Sequence, residues 1–291
     1  MALIGIAQML VSAGKPEDNI ERAGSMIAEA ARKGCDIVVL PECLDLGWTY
    51  PEAVRAAEPI PGTYSDKIAE YADKNAIYVV AGLTEKAHEP YGEAVYNAAV
   101  LISPQGNIIL KNRKINILDI AQHIYRTGNL LATAHTPFAT IGVDICADNF
   151  PSSYAIGHTL ARMGAELICS PSAWAVNADH DNRKEPYGDL WREAYSDLAR
   201  LYRCAVVGVS NVGWIDAGPW KGKKCIGSSL VVGPEGDVLF QAPYGVDAEG
   251  LFPVEISIVY QSLTGTRLDE EVALKTGSQN GFRAGSGDAS G

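Results

Sequence analysis

Residues 140–151 read Thr-Ile-Gly-Val-Asp-Ile-Cys-Ala-Asp-Asn-Phe-Pro, and this stretch is the strongest indication of the fold class. Its first six residues are mostly apolar or β-branched, which is typical of a buried strand. The strand stops at Cys146, and a helical pattern begins a few residues later, around Ala155–Met163. A buried strand that turns sharply towards a helix is typical of sheets covered by helices, and the turn presents the side chain at its apex.

Strands and helices alternate on both sides of this turn. Two turn sequences, Ser-Pro-Gln-Gly at 103–106 and Gly-Pro-Glu-Gly-Asp at 233–237, each join two predicted strands into a hairpin. The strands are Tyr96–Ile102 and Asn107–Asn112 in the first hairpin, and Ile226–Val232 and Val238–Gln241 in the second. The pattern predicts two mixed sheets packed face to face with helices outside. In chain order, the other predicted segments are helix Asp18–Lys33, strand Ile37–Leu40, helix Ser65–Asn75, strand Ile77–Ala81, strand Glu166–Ser170, helix Leu190–Arg203 and strand Ala205–Ser210.

Composition predicts one large globular domain, because 291 residues with 47% hydrophobic side chains suffice for a sizeable core. We place this domain at residues 1–263 and predict a tail, or an arm onto another subunit, at 264–291, where the apolar period is lost. A net charge of -11 argues against nucleic acid and anionic membranes as partners. No apolar stretch is long enough to cross a bilayer, and the first residues lack a signal peptide's basic segment, so we expect a cytoplasmic protein.

Six cysteines are spread along the chain without a Cys-x-x-Cys pair or grouped histidines, which argues against a zinc site and a disulfide framework. Most are expected to be small buried hydrophobes. Cys146 differs because it follows a buried strand at a sharp turn. There it would be exposed as a nucleophile, with the Ala147 N–H nearby to hold an oxyanion. The alternative is a small residue that closes a strand.

Two charged residues also follow strands. A thiol with a pKa of about 8.5 needs a neighbouring base or cation to act as a nucleophile. Glu42 follows Ile37–Leu40 and Pro41 and is a candidate base, while Lys114 ends a hairpin strand and is a candidate for stabilising negative charge. Taken alone, each is more typical of a solvated charge. The five histidines show no spacing that indicates a metal site or a Cys-His protease.

The order of these segments resembles the nitrilase superfamily of carbon–nitrogen hydrolases over roughly residues 2–258. The resembling segments are Val39–Glu42, Tyr96–Ala99, Arg113–Leu118, Ile145–Pro151, Gly164–Trp174 and Gly227–Gly236. The resemblance implies a four-layer α-β-β-α sandwich, a homodimer or higher homo-oligomer, and no metal or organic cofactor.

The resemblance also implies roles for individual residues. Glu42 would be the general base, Cys146 would attack the carbon of a small linear amide or N-carbamoyl compound, and Lys114 and the Ala147 N–H would hold the oxyanion. The residues Ser172, Ala173 and Trp174 would line the substrate pocket. A nearby segment, 177–187, supplies His180, Arg183 and Lys184, which could meet a substrate carboxylate or simply be solvated charges.

The sequence departs from the family pattern at three places. Asn116 replaces a frequent histidine. A second glutamate that many members place after the lysine is missing, since counting gives Ala121 or Gln122, and we therefore include Gln122 among the pocket candidates. True nitrilases tend to show Cys-Trp-Glu, whereas this chain has Cys-Ala-Asp at 146–148, which favours an amidase or carbamoyl hydrolase. The missing carboxylate leaves open a non-catalytic member, and a strict nitrilase is the other alternative.

Overall fold

The computed structural model describes residues 1–90, 92–260 and 265, and within them two six-stranded sheets form the centre of the fold. The strands are β1 (Ala2–Gln8), β2 (Ile37–Val39), β3 (Tyr78–Glu89), β4 (Gly92–Ile102), β5 (Ile108–Arg113), β6 (Thr133–His135), β7 (Thr140–Val143), β8 (Leu167–Ser172), β9 (Ala175–Val176), β10 (Ala205–Ser210), β11 (Val212–Trp214), β12 (Lys224–Ile226), β13 (Leu230–Val232), β14 (Val238–Gln241) and β15 (Gly250–Ile256). The α-helices are α1 (Pro16–Arg32), α2 (Ala53–Ala56), α3 (Thr63–Asn75), α4 (Tyr154–Arg162) and α5 (Asp189–Tyr202).

Both large sheets are mixed. The first has the order β15-β1-β2-β3-β4-β5, with β1, β2 and β3 parallel and the outer pairs antiparallel. The second has the order β14-β13-β10-β8-β7-β6, with β7, β8 and β10 parallel. The described residues also form a small sheet, β11-β12-β9. In each large sheet antiparallel strand pairs thus flank a parallel centre.

The two large sheets pack against each other through one apolar core. Ile4 and Val39 of the first sheet share this core with Ile141 and Val207 of the second. Alternate residues of the first sheet, such as Val38, point the other way and pack under α1 and α3. Helices α4 and α5 cover the second sheet. This arrangement confirms the predicted α-β-β-α sandwich of two mixed sheets, in which both faces of each sheet are buried.

Helix α1 shows how local sequence sets the element bounds. It begins at Pro16, whose missing N–H costs nothing in the first turn, and Glu17 and Asp18 follow there, where the helix dipole favours acids. It ends just before Gly34, which has a φ of 78°. Among the described residues, none of the helices is both long and apolar enough to traverse a lipid bilayer.

The predicted strand Ile226–Val232 is instead two strands in different sheets. The chain breaks at Gly227 and Ser228, which have φ values of 62° and 57°. A Cβ at Gly227 would lie 2.2 Å from the Gln8 side chain, so this close approach requires glycine. The side chain of Gln8 accepts hydrogen bonds from Ser229 at the same place. The predicted tail at 264–291 lies outside the described residues, apart from Gly265.

Candidate active site

Three strand ends bring Glu42, Lys114 and Cys146 to one cavity of about 360 Å³. Glu42 follows β2 and Lys114 follows β5, both in the first sheet, whereas Cys146 follows β7 in the second. Exposed fractions are small, at 1%, 2% and 8% respectively. The backbone N–H of Glu42 donates to the Ser172 carbonyl, 3.2 Å away, and so links the two sheets at the cavity.

Glu42 and Lys114 form a buried ion pair. Lys114 Nζ lies 2.6 Å from Glu42 Oε1, and Asn97 Nδ2 donates to the same oxygen over 2.6 Å. Burial opposes the charge on Lys114, but the Glu42 carboxylate and nearby anionic groups raise its pKa overall, so the ammonium stays charged. Because both charges are removed from water, each depends on the other for its stability. The pair fixes a carboxylate and a cation beside Cys146.

The turn at Cys146 is held in a strained conformation. Cys146 has a φ of 49°, in the left-handed region that a side chain disfavours, and a 3-10 turn over Cys146–Asn149 follows at once. Its backbone N–H donates to Ser170 Oγ over 3.1 Å. The Asn149 amide donates to the same hydroxyl over 2.9 Å and to Asp144 over 2.7 Å. These bonds stabilise the turn that directs Cys146 into the cavity.

The electrostatic setting of Cys146 favours its thiol form. Burial and, to a lesser extent, the charge of Glu42 raise the pKa of Cys146 to about 12, although Lys114 and the backbone of Ala173 act to lower it. At neutral pH the thiol therefore keeps its proton and reacts only if that proton is transferred. Glu42 is the carboxylate placed to accept it.

Alkylation of Cys146 by iodoacetamide tests this electrostatic setting. In the wild-type protein we expect the rate to rise steadily between about pH 6 and pH 9, because only the thiolate reacts readily. Glu42→Gln removes the charge that raises the thiol pKa and leaves Lys114 to lower it, so the curve of rate against pH should move to lower pH. Mass spectrometry of the Cys146 adduct measures both curves, and superimposable curves would contradict the assigned role of the Glu42 charge.

A buried carboxylate that sequence reasoning did not single out, Asp148, joins the Lys114 loop to the Cys146 turn. Its Oδ1 accepts the backbone N–H groups of Ile115 and Asn116 over 3.1 and 2.7 Å, and its Oδ2 accepts that of Ile145 over 3.1 Å. Burial raises the pKa of Asp148 to about 6, although Lys114 and these N–H groups lower it. Asn116 adds a bond to the Ala147 carbonyl over 2.6 Å. The two loops are therefore fixed to each other.

The predicted pocket residues differ in where they lie. Ala173 and Trp174 line the cavity, as does His180, whereas Ala147 is fully buried behind it. Ser172 does not line the cavity, because its side chain is buried and donates to the Ser170 carbonyl over 3.1 Å.

Gln122 does not reach the cavity either. It is exposed at the end of a 3-10 turn, Asp119–Ala121, and its amide donates to Asp119 over 3.0 Å. From this segment the cavity receives Leu118 instead. Arg183 pairs with Asp181 and is not part of the lining. Sequence reasoning missed most of the aromatic lining, namely Trp48, Phe150, Tyr187, Trp191 and Trp220.

The chain is similar to known proteins along most of its length. A family model described as carbon-nitrogen hydrolase matches residues 2–262. A nitrilase of Pyrococcus abyssi is 29% identical over 265 residues, 89% of this chain and 92% of the relative. Omega-amidase NIT2-B of Xenopus laevis is 31% identical over 268 residues, 88% of this chain and 89% of the relative.

Among solved structures, an amidase from Nesterenkonia sp. AN1 has a similar fold. It superimposes with a TM-score of 0.70 at 18% identity, covering 88% of this chain and 94% of its own. That structure is of a glutamate-to-glutamine mutant of the amidase and shows the result of Michael addition of acrylamide at the active-site cysteine.

Proposed function

Because the chain belongs to the carbon–nitrogen hydrolase family, within the nitrilase superfamily, we propose that it is an amidase with Cys146 as its nucleophile. One observation carries this proposal. A buried Glu42–Lys114 pair with a separation of 2.6 Å lines the same cavity as a cysteine in a strained turn. These groups supply a base, a cation and a nucleophile, which are the parts that acyl transfer through a thioester needs.

In the first half of the proposed reaction, Glu42 takes the proton of the Cys146 thiol, and the sulfur attacks the amide carbon. The Lys114 ammonium and the Ala147 N–H stabilise the negative oxygen of the tetrahedral intermediate. The carbon–nitrogen bond then breaks, and Glu42 returns its proton to the leaving nitrogen. Ammonia departs from a primary amide and leaves the acyl group on Cys146 as a thioester.

In the second half, Glu42 takes a proton from water, and the resulting hydroxide attacks the thioester carbon. The same cation stabilises the second tetrahedral intermediate. The carbon–sulfur bond breaks, the carboxylic acid leaves, and the sulfur regains a proton from Glu42. One base therefore serves both halves of the cycle, and the buried ion pair holds it in place throughout.

Two observations favour amides over nitriles in this proposal. The chain has Cys-Ala-Asp at 146–148, whereas true nitrilases tend to have Cys-Trp-Glu. Relatives of the chain include an omega-amidase, and an amidase of the same fold forms an adduct at its cysteine. Small linear amides and N-carbamoyl compounds are thus the first substrates to test, and we propose a homodimer as the active form.

Ammonia release from matched compounds tests the proposal. We expect butanamide to be hydrolysed faster than butanenitrile of the same chain length, and N-carbamoyl compounds show whether a ureido carbon is also attacked. Faster turnover of the nitrile would indicate a strict nitrilase. If none of these compounds is hydrolysed, and arylalkyl amides are not hydrolysed either, the protein is a non-catalytic member that binds a ligand or partner.

Equilibrium sedimentation tests the proposed homodimer. A purely monomeric protein would contradict it.

A further inference from the structure

Aromatic side chains dominate the walls of the cavity. In the described part of the chain six of them line it, namely Trp48, Phe150, Trp174, Tyr187, Trp191 and Trp220. The rings of Trp174 and Trp191 are stacked, with centroids 4.8 Å apart and planes inclined by 21°. Trp48 and Trp220 form a separate edge-to-face pair at 4.6 Å. The remaining lining includes the apolar residues Leu118 and Leu190.

The charges at the cavity are unfavourable for an anionic substrate. Among the described residues that line it, Lys114 is the one lysine, no arginine is present, and Lys114 is already paired with Glu42. Glu185 and Asp189 also line it, with side chains 86% and 88% exposed, and Asp189 pairs with Arg192, which does not line the cavity. A substrate carboxylate would therefore enter an apolar space without a free cation, which costs free energy.

Other cationic groups near the cavity are engaged elsewhere. Lys223 lies over the ring of Trp220, 4.3 Å from its centroid, and Lys224 donates to the His180 carbonyl over 3.1 Å. Neither lysine lines the cavity. His180 does line it, and its Nδ1 lies 3.9 Å from Glu185 Oε2.

We propose that the amide substrate carries a neutral aromatic acyl group, which packs against Trp48 and Trp220 while the amide lies at Cys146. This inference rests on the proposed function and adds the substrate class to it. Aromatic rings gain from edge-to-face and offset contacts beyond the area they bury, and an uncharged group avoids desolvation of a carboxylate. A cavity of about 360 Å³ also leaves room beyond a small linear amide.

A substrate series separates the charge of the acyl group from its size. The series is 3-phenylpropanamide, butanamide, succinamic acid and the methyl ester of succinamic acid, with kcat/KM measured by ammonia release. We expect 3-phenylpropanamide to exceed butanamide by about tenfold, in line with the gain from one or two aromatic contacts. Succinamic acid should have the lowest kcat/KM of the series, and its uncharged methyl ester should have a higher kcat/KM than the acid. Preference for succinamic acid over its ester, or equal rates for the phenyl and propyl amides, would overturn the inference.

Variants of Trp48 and Trp220 test whether these two rings cause the preference for the aromatic amide. Trp48→Leu and Trp220→Leu should each reduce the ratio of kcat/KM for 3-phenylpropanamide to that for butanamide by about threefold, because each removes one of the two rings that together give the tenfold preference. Trp214→Leu is the matched control, since Trp214 is 55% exposed and outside the lining, and it should leave the ratio unchanged. An unchanged ratio in both cavity variants would overturn the inference while amide hydrolysis itself still stands. Failure of the wild-type protein to hydrolyse any amide would instead overturn the proposed function.

Discussion

Replacement of Cys146 by alanine is expected to remove amide hydrolysis, with a loss in kcat of the order of 10⁶-fold. The reason is chemical, because without the sulfur there is no thioester and the second half of the reaction has no substrate. The contact of 2.6 Å between Lys114 Nζ and Glu42 Oε1 does not involve the Cys146 sulfur, so the ion pair and the cavity should persist in the variant. Single-turnover and steady-state assays of ammonia release measure the loss.

Cys35→Ala is the matched control for this variant. Cys35 is also a buried, unpaired cysteine, but it lies among the core residues under α1 and is not part of the cavity lining. We expect Cys35→Ala to keep full activity and Cys146→Ala to unfold at a temperature near that of the wild type. Full activity of a folded Cys146→Ala protein would show that Cys146 is not the nucleophile.

Glu42→Gln is expected to have two separate effects. Loss of the base should lower kcat by about 10²- to 10⁴-fold, since proton transfer from the thiol and from water both depend on it. Loss of the carboxylate also leaves Lys114, which is 2% exposed, as an unpaired buried charge. Removal of one partner of a buried ion pair costs about 3–5 kcal/mol of folding free energy. Urea unfolding and steady-state kinetics on the same preparation measure the two effects.

The double variant Glu42→Gln with Lys114→Met distinguishes the two effects. Replacement of the second partner by an apolar side chain of similar length removes the unpaired charge, so most of the lost stability should return. Activity should not return, because neither the base nor the cation is present. A double variant that regained activity together with stability would show that Glu42 contributes only to folding.

The positions of the three central residues could be predicted because each lies at the end of a predicted strand. Glu42 comes after Ile37–Leu40, and Cys146 comes after the strand that begins at Thr140. The carboxyl ends of parallel strands lie at the same edge of a sheet, which brings Glu42 and Lys114 to one edge, whereas their closeness to Cys146 depends on how the second sheet packs on the first. The approximate bounds of α1, α3 and α5 were predictable for the same reason, since their apolar faces are periodic.

The cavity walls could not be predicted in this way. Trp48 and Trp220 lie in loops without periodicity, and they meet only because β2 and β12 carry those loops to the same place. Counting along the loop after Lys114 predicts Gln122 as a pocket residue. The count does not determine in which direction a side chain at a 3-10 turn points. The end of one strand at Gly227 could not be predicted, because apolar residues lie on both sides of this glycine and the pattern is that of one continuous strand.

The placement of Glu42 and Lys114 on one sheet and Cys146 on the other has a consequence for folding. Neither sheet by itself carries the proposed base Glu42, the cation Lys114 and the nucleophile Cys146 together. On the proposed mechanism, a chain in which only one sheet has formed is therefore inactive. On that mechanism, hydrolytic activity reports that the two sheets have assembled. Assembly also protects the thiol, because burial in the folded protein raises its pKa above the value of about 8.5 that a free cysteine has.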